Sequence, residues 1–330
     1  MKTFLFWFRN ARSIALGQSL LPTVVAFCLA LKHGDLIWTN ALAAFLGIIS
    51  LHLCINLLDD YCDARKNDTS YRDRLHAQGM RARIGKCEYL KSGKANFKTL
   101  LTAALAFGAV AFICGFWLFL QGGAFIFVLA LIAGFLGYSY SGAPLRLSYH
   151  GLGELTVALM FGPLLMSGMY FSATLSPVPP EVWIISIPMG LLAANILYIH
   201  AILDFEADQS IRKKTLAVVL NSKFKMNLAL CGFIGLPYDC IIFGAIFGFL
   251  SPWYLITLIT LPWAFYLLIS VLKFQESPHK TVEKKWWMFP MGDWKVYQEF
   301  GIDWFMLRWI SARNLVLWFG LICSIIALCL

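Results

Sequence analysis

The chain has 330 residues, of which 59% are hydrophobic and only 14% are charged, and its mean hydropathy is +0.70. This composition excludes an ordinary water-soluble globular protein and predicts a polytopic membrane protein. The formal net charge of +9 follows from membrane topology, as described next, so we expect no nucleic-acid partner.

Nine apolar stretches are long enough to cross a bilayer as helices, which takes about 20 residues. In chain order they are 13–31, 36–58, 99–120, 123–141, 152–172, 182–203, 226–248, 252–272 and 314–330. If the N-terminus lies inside and the C-terminus outside, every Lys and Arg except Lys32 falls on the inner side, as the positive-inside rule requires. We therefore expect an all-α, nine-helix bundle that forms a single membrane-embedded domain over 1–330, in a bacterial inner membrane. The charges leave open a cleaved signal peptide at the first stretch.

The second and sixth stretches each end in a run of carboxylates. In a helix, Asn56, Asp60 and Asp63 share one face, and so do Asp204 and Asp208. Like charges gathered at one membrane surface raise one another's pKa unless a cation neutralises them. Two such faces therefore predict a divalent-metal site. The alternative is that they are simply polar helix ends that reach water.

Two inner loops carry basic residues that have alternative interpretations. The loop 64–98 is strongly basic, and it either anchors on anionic lipid or forms a cytosolic cap that attracts a polyanionic substrate. The Gly- and Pro-rich loop after the fourth stretch holds Arg146, which either binds phosphate oxygens or is simply solvated.

His200 lies one turn before the second acidic run and is either a substrate contact or a hydrogen-bonded helix-end histidine.

Two features near the C-terminal end have no assigned role. Asp239 is a carboxylate within a predicted span, which indicates a functional group or a wet pocket opened by Pro237. The inner loop 273–313 holds five of the twelve tryptophans. The apolar spacing from Ile302 to Ile310 within it predicts an amphipathic helix that lies in the membrane interface.

Four motifs occur in order along most of the chain. They are N-L-L-D-D-Y-C-D at 56–63 with Lys66 and Asp68, Y-S-G-A-P at 140–144, G-L-G-E at 151–154, and Asp204-x-x-x-Asp208 followed by K-K-T-L at 213–216. They resemble, in turn, N-L-x-N-D-Y-x-D…K-x-x-D, Y-T-G-G-P, G-L-G-[DE] and R-D-x-x-x-D…G-K-R-T-L of the UbiA superfamily of intramembrane prenyltransferases. The resemblance is greatest to its 1,4-dihydroxy-2-naphthoate prenyltransferase branch, which acts in menaquinone synthesis.

The resemblance implies an enzyme that uses Mg²⁺ to transfer a prenyl group from a polyprenyl diphosphate to an aromatic acceptor, 1,4-dihydroxy-2-naphthoate. The implied catalytic metal ligands are Asp60, Asp63, Asp204 and Asp208. The implied substrate contacts are Asn56, Lys66, Asp68, Tyr138, Tyr140, Arg146, His200, Lys213 and Lys214. Stabilisation of the leaving diphosphate lets the allylic C–O bond ionise, and the acceptor ring attacks the carbocation. The prenyl tail would lie among helices open to membrane lipid, with the π faces of the two tyrosines beside the cation.

Departures from the branch pattern concern the acceptor more than the metal. They are Asp59 in place of Asn, Arg212 in place of Gly, and His200, Ala201 and Leu203 in place of two asparagines and an arginine. The alternative acceptors are 4-hydroxybenzoate, a porphyrin derivative or a glycerol phosphate lipid. The D-D-x-x-D spacing at 59–63 also occurs in soluble prenyl diphosphate synthases, but nine spans argue against that family. From another class, an ion-coupled secondary transporter would place its acids near the middle of the membrane.

Overall fold

The computed structural model describes residues 2–33, 36–65, 87–210, 212–277 and 283–330. Lys66 and Asp68, with most of the predicted basic loop 64–98, lie outside the described residues. Within the described ranges the regular structure is helical, apart from one isolated bridge between His150 and Lys214.

Within the described ranges, five short α-helices lie before or between eight long helices. The short helices are α1 (Lys2–Asn10), α4 (Glu88–Lys91), α8 (Phe205–Ser210), α9 (Leu216–Leu220) and α12 (Trp294–Glu299). The long helices are α2 (Ser13–His33), α3 (Trp38–Ala64), α5 (Phe97–Ser141), α6 (Gly153–Thr174), α7 (Pro180–Leu203), α10 (Lys223–Ile246), α11 (Pro252–Glu276) and α13 (Asp303–Cys329). Each long helix has the length and composition of a membrane span. The predicted all-helical membrane architecture is confirmed.

Helix α5 contains two of the predicted spans. Its 45 residues would make about 68 Å of straight helix at 1.5 Å per residue, roughly twice the thickness of the hydrocarbon core. The helix breaks at Gly123, whose φ of 60° and ψ of −141° lie outside the helical region and suit glycine. The halves correspond to the predicted stretches 99–120 and 123–141. Counted separately, they bring the apolar helical segments of the described ranges to nine, while the membrane crossings and the orientation of the termini stay predictions.

Helices α6 and α7 approach each other closely where both carry glycine. A Cβ atom on Gly190 would lie 2.2 Å from the carbonyl oxygen of Ala158, and one on Gly162 would lie 2.4 Å from that of Ser186. α6 also contains a π-helical turn at Met160–Leu164. Small residues allow the close backbone packing on which helix association in lipid depends. This contact therefore fixes α7, whose C-terminal end leads into the second acidic run.

The last helix differs from the prediction. We expected a span over 314–330 preceded by an interfacial helix over 302–310, but α13 is continuous from Asp303. Its apolar stripe is buried against other helices. Arg308, on the same segment, is 2% exposed and donates to the carbonyl oxygen of Ser270 (2.9 Å). The prediction was wrong because helical periodicity does not distinguish a neighbouring helix from a membrane surface.

The one basic residue predicted outside forms an ion pair at the far end of the bundle. Lys32 Nζ, at the end of α2, lies 2.8 Å from Glu181 Oε1 in the first turn of α7. His33 Nε2 lies 2.6 Å from the other carboxylate oxygen. Because the start of α2 contacts the first acidic run through Arg12, this pair and the acidic runs lie at opposite ends of the bundle.

Candidate active site

One cavity of about 1130 Å³ contains residues of both acidic runs. Asp59 and Asp60 line it from α3, and Asp208 and Lys213 line it from the segment after α7. The structure thus brings the two runs to the same end of the bundle and to one cavity. Asp239 is exposed on α10 and is not among the described residues that line this cavity.

The first run occupies the last two turns of α3. Asp60 and Asp63 are almost fully buried, at 3% and 4% exposure. Asn56 ties this part of α3 to the chain before α2, since its side-chain amide donates to the carbonyl oxygen of Ala11 (2.9 Å). The predicted common face of these three residues is therefore turned into the bundle, away from water.

Arg12 is a site residue that sequence reasoning missed. Its Nη2 atom donates to Asp59 Oδ2 at 2.5 Å and also to Asp60 Oδ1. Burial by itself would lower the pKa of Arg12, but the carboxylates of Asp60 and Asp59 outweigh it and hold that pKa above its usual value. In the sequence Arg12 is only a basic residue before the first span, and no local pattern indicates its contact with a residue 47 positions away.

Two hydroxyl groups orient the carboxylates that Arg12 bridges. Tyr89 donates to Asp60 Oδ2 at 3.0 Å, and Ser141 donates to Asp59 Oδ1. Burial raises the pKa of the Tyr89 phenol, and the charge of Asp60 raises it further. Tyr89 therefore keeps its proton and acts as a fixed donor to this carboxylate.

Tyr149 connects the first acidic run to two cations. Its hydroxyl donates to Asp63 Oδ1 at 2.7 Å. The guanidinium carbon of Arg146 lies 4.7 Å from the centre of its ring, and Lys213 Nζ lies 5.5 Å from the same point. Tyr149 was not predicted as a site residue, although it lies between the Y-S-G-A-P and G-L-G-E motifs.

The second run is divided by a helix end. Asp204 follows the last residue of α7, Asp208 lies on α8, and the amide of Asp208 donates to the carbonyl oxygen of Asp204 at 2.8 Å. Both carboxylates are 3% exposed, whereas Glu206 between them is exposed. His200 Nε2 lies 3.2 Å from Asp204 Oδ2, and His200 also lines the cavity, so its role as a substrate contact stays a prediction.

Three predicted substrate contacts, Tyr138, Arg146 and Lys214, are not among the described residues that line the cavity, and neither are the predicted metal ligands Asp63 and Asp204. Tyr140 lines it, but Tyr138 is 53% exposed and does not belong to its described lining. Residues two apart on a helix point in nearly opposite directions, so only one of these tyrosines can face the cavity. Similarly, Lys213 lines the cavity while Lys214 is exposed. The motifs lie at the cavity as predicted, but the side chains of Tyr138 and Lys214 point away from it.

The residues present fit a magnesium–diphosphate group. Among the described residues, no three His, Cys, Asp or Glu side chains gather closely enough to bind a metal ion alone. Mg²⁺ is usually bound by one or two carboxylates together with substrate phosphates, so it does not require such a group. Arg146, Ser148 and Thr215 each carry buried polar side-chain atoms that have no hydrogen-bond partner among the described residues. Phosphate oxygens would satisfy these donors.

The remainder of the cavity is mostly apolar. Along α3 its lining extends from Asp60 back to Ala44, about 24 Å at 1.5 Å per residue. Side chains of α5 that cover this part are Phe112, Phe116, Leu118, Phe119, Ile126 and Phe127. A charged end that continues into a long apolar space suits a ligand with a polar head and a hydrocarbon chain.

The family model described as "UbiA prenyltransferase family" matches residues 90–289 of the chain. The protein therefore belongs to the UbiA prenyltransferase family, and it is a prenyltransferase and a multi-pass integral membrane protein. The matched range includes the second acidic run, and the first run precedes it.

Two bacterial relatives extend this comparison. A 1,4-dihydroxy-2-naphthoate octaprenyltransferase of Bacillus subtilis is 25% identical over 251 residues, which cover 76% of this chain and 77% of that protein. A 2-carboxy-1,4-naphthoquinone phytyltransferase of Synechocystis is 31% identical over 155 residues, which cover 46% of this chain and 48% of that protein.

Solved structures share the fold at low sequence identity. A structure of a UbiA homolog from Archaeoglobus fulgidus bound to GPP and Mg²⁺ superimposes with a TM-score of 0.57 at 17% identity, covering 98% of this chain and 99% of that one. A digeranylgeranylglyceryl phosphate synthase structure gives a TM-score of 0.62 at 13% identity and covers both chains completely. At these identities the likeness concerns the fold alone.

Proposed function

We propose that this prenyltransferase uses Mg²⁺ to transfer a prenyl group from a polyprenyl diphosphate to 1,4-dihydroxy-2-naphthoate. The observation that carries the proposal is the cavity with a charged end, where both acidic runs meet Lys213, and a long apolar continuation. The diphosphate would occupy the charged end and the prenyl chain the apolar part. Support for the acceptor comes from the bacterial relatives named 1,4-dihydroxy-2-naphthoate octaprenyltransferase.

The chain's own residues would bind and orient the leaving group. Asp60, Asp63, Asp204 and Asp208 would hold magnesium ions together with oxygens of the diphosphate, each ion taking one or two of these carboxylates. The bound ion supplies positive charge that stabilises the diphosphate as the allylic C–O bond breaks. Lys213 and Arg146 would donate hydrogen bonds to phosphate oxygens. The ring of Tyr149 contacts both of these cations, and its hydroxyl donates to the carboxylate of Asp63. Tyr149 therefore fixes the positions of the two cations relative to this carboxylate.

Other acceptors remain alternatives within the same chemistry. A relative from Francisella tularensis that is 26% identical over 257 residues is named 4-hydroxybenzoate octaprenyltransferase, which favours that ring as the second candidate. Both acceptors are electron-rich phenols, so the carboxylates and the cations would act in the same way on either. The transporter alternative lacks structural support, because the acidic runs lie at one end of the bundle and not at its middle.

The test is product formation by the purified protein in lipid nanodiscs with Mg²⁺, a long-chain prenyl diphosphate and each candidate acceptor in turn. Mass spectrometry should detect the acceptor ring with a prenyl group in place of a ring proton or of its carboxylate, together with released diphosphate. Asp60→Ala and Asp204→Ala should abolish both, whereas Asp239→Ala, on an exposed face of α10, should not. No product with any acceptor would refute the proposal, and product formation undiminished by the first two substitutions would refute the assigned metal ligands.

We also propose that the chain forms one membrane domain over 1–330, with the N-terminus inside, the C-terminus outside and the catalytic end at the cytoplasmic face of a bacterial inner membrane. The bacterial relatives support the membrane assignment. The grouping of Arg12, Arg146 and Lys213 at the catalytic end supports the orientation, since Lys32 at the other end is neutralised by Glu181. Accessibility of single cysteines introduced at either end to an impermeant reagent in intact cells tests it.

A further inference from the structure

Two polar side chains lie in the otherwise apolar part of the cavity, and neither has a role in the proposed reaction as described above. His52 on α3 and Ser19 on α2 both line the cavity. His52 is 7% exposed and Ser19 is fully buried. His52 lies eight residues before Asp60 on the same helix, about 12 Å along the axis. Ionisable side chains within spanning helices carry a cost and commonly mark a functional site.

The hydrogen bonds of Ser19 determine which ring nitrogen of His52 carries the proton. The Ser19 hydroxyl donates to the carbonyl oxygen of Leu16 at 3.1 Å, and a hydroxyl has one proton to give. With the Ser19 proton on this carbonyl, the Ser19 oxygen accepts from His52 Nδ1, which lies 2.8 Å away, and this is the tautomer on which the inference rests. In the neutral ring Nδ1 then bears the hydrogen, and Nε2 presents a lone pair.

A lone pair on Nε2 selects the chemistry of its ligand. It accepts a hydrogen bond from a hydroxyl group, whereas a carboxylate, a phosphate or a prenyl chain offers it no donor. The ring of Phe161 lies 5.3 Å from the ring of His52 at an angle of 38° and provides an aromatic wall for a planar ligand. The axial separation of about 12 Å leaves room for the diphosphate and one aromatic ring between Asp60 and His52.

From this geometry we propose that His52 Nε2 accepts a hydrogen bond from a ring hydroxyl of the aromatic acceptor, and that Ser19 is the positioning residue that fixes the ring's tautomer. The inference rests on the proposed prenyl transfer and deepens it by assigning the acceptor subsite. A hydrogen bond from the phenol to Nε2 shifts electron density towards the ring carbon that attacks the cation. The subsite thus both orients the acceptor and increases its nucleophilicity.

The test compares each hydroxylated acceptor with its methyl ether, which remains electron-rich but cannot donate. The wild-type enzyme should prefer the hydroxyl form in kcat/KM by about tenfold, the effect of one hydrogen bond. His52→Leu should reduce that ratio to about one, while the KM for the prenyl diphosphate stays within about twofold. His52→Gln, whose amide oxygen can still accept, should retain the preference, and so should the control Ser50→Ala, a buried position on α3 outside the described cavity lining.

The role of Ser19 is tested by combining substitutions. Ser19→Ala should weaken the hydroxyl preference, and it should have no further effect on that preference when added to His52→Leu, because the two residues act as one unit. A purely structural role for Ser19 would lower thermal stability without changing the preference.

Each outcome decides the inference. A hydroxyl preference that persists in His52→Leu would overturn it. If that variant does not fold, the ether series with the wild-type enzyme decides, since equal use of both forms would also overturn it. Wild-type protein that prenylates no acceptor would refute the proposed function itself. Product formation with equal kcat/KM for the hydroxyl and ether forms would instead refute only the acceptor subsite.

Discussion

Replacing Tyr149 by Phe removes one hydroxyl and leaves the ring that contacts both cations. The lost interaction is the hydrogen bond to Asp63 Oδ1 at 2.7 Å. A hydrogen bond to a charged group contributes about 1.5–3 kcal/mol, which corresponds to roughly 10- to 150-fold in a rate or binding constant. Since Asp63 is a proposed metal ligand, we expect kcat/KM to fall by about 10- to 150-fold and the Mg²⁺ concentration for half-maximal activity to rise.

Tyr149→Ala should cost more, because it also removes the aromatic face under Arg146 and Lys213. Cation–π contacts contribute about 0.5–2 kcal/mol each, so loss of both should lower activity by at least a further factor of about five. The assay is initial-rate kinetics over a range of Mg²⁺ and prenyl diphosphate concentrations. Tyr138→Phe is the matched control, since Tyr138 is exposed and outside the described cavity lining. Wild-type kinetics for Tyr149→Phe at every Mg²⁺ concentration would refute this reasoning.

Three further predictions follow from the placement of neighbouring residues. Asp208→Asn should lower kcat/KM by about 100-fold or more, whereas Glu206→Gln, two residues away and exposed, should have no comparable effect; equal effects would contradict the assignment. Lys213→Met should raise the KM for the prenyl diphosphate by about tenfold, as measured by steady-state kinetics. Lys214→Met, at an exposed position, should not. Gly190→Ala should lower the free energy of unfolding by about 1–3 kcal/mol, since its Cβ would lie 2.2 Å from a backbone oxygen; thermal unfolding against Gly235→Ala, where the space is open, tests this.

Hydropathy and charge predicted most of the fold because a bilayer imposes a minimum length on every helix that crosses it. The boundary between the stretches 99–120 and 123–141 coincides with the break at Gly123. The start of α13 at Asp303 was missed for a physical reason. An apolar stripe with charges beside it has the same spacing whether lipid headgroups or neighbouring helices cover it.

The acidic residues of the site were predictable because each run is a short continuous segment at the end of an apolar span. Their partners were not predictable in the same way. Arg12 and Tyr89 reach Asp60 from far along the chain, and no periodicity relates such positions. The different placement of Tyr138 and Tyr140 could have been anticipated from the helical period, since both lie within the predicted stretch 123–141.

Buried charges are arranged differently at the two ends of the bundle. At the far end Glu181 has two bases, Lys32 and His33, within hydrogen-bond distance, so its charge is balanced within the protein. At the catalytic end Arg12 bridges two neighbouring carboxylates of the first run, and the buried carboxylate of Asp208, from the second run, lines the same cavity. Clustered carboxylates repel one another, and an added cation relieves that repulsion most where negative charge is in excess. A divalent ion that arrives with a diphosphate would therefore be drawn to the catalytic end, while the ion pair at the far end joins α2 to α7.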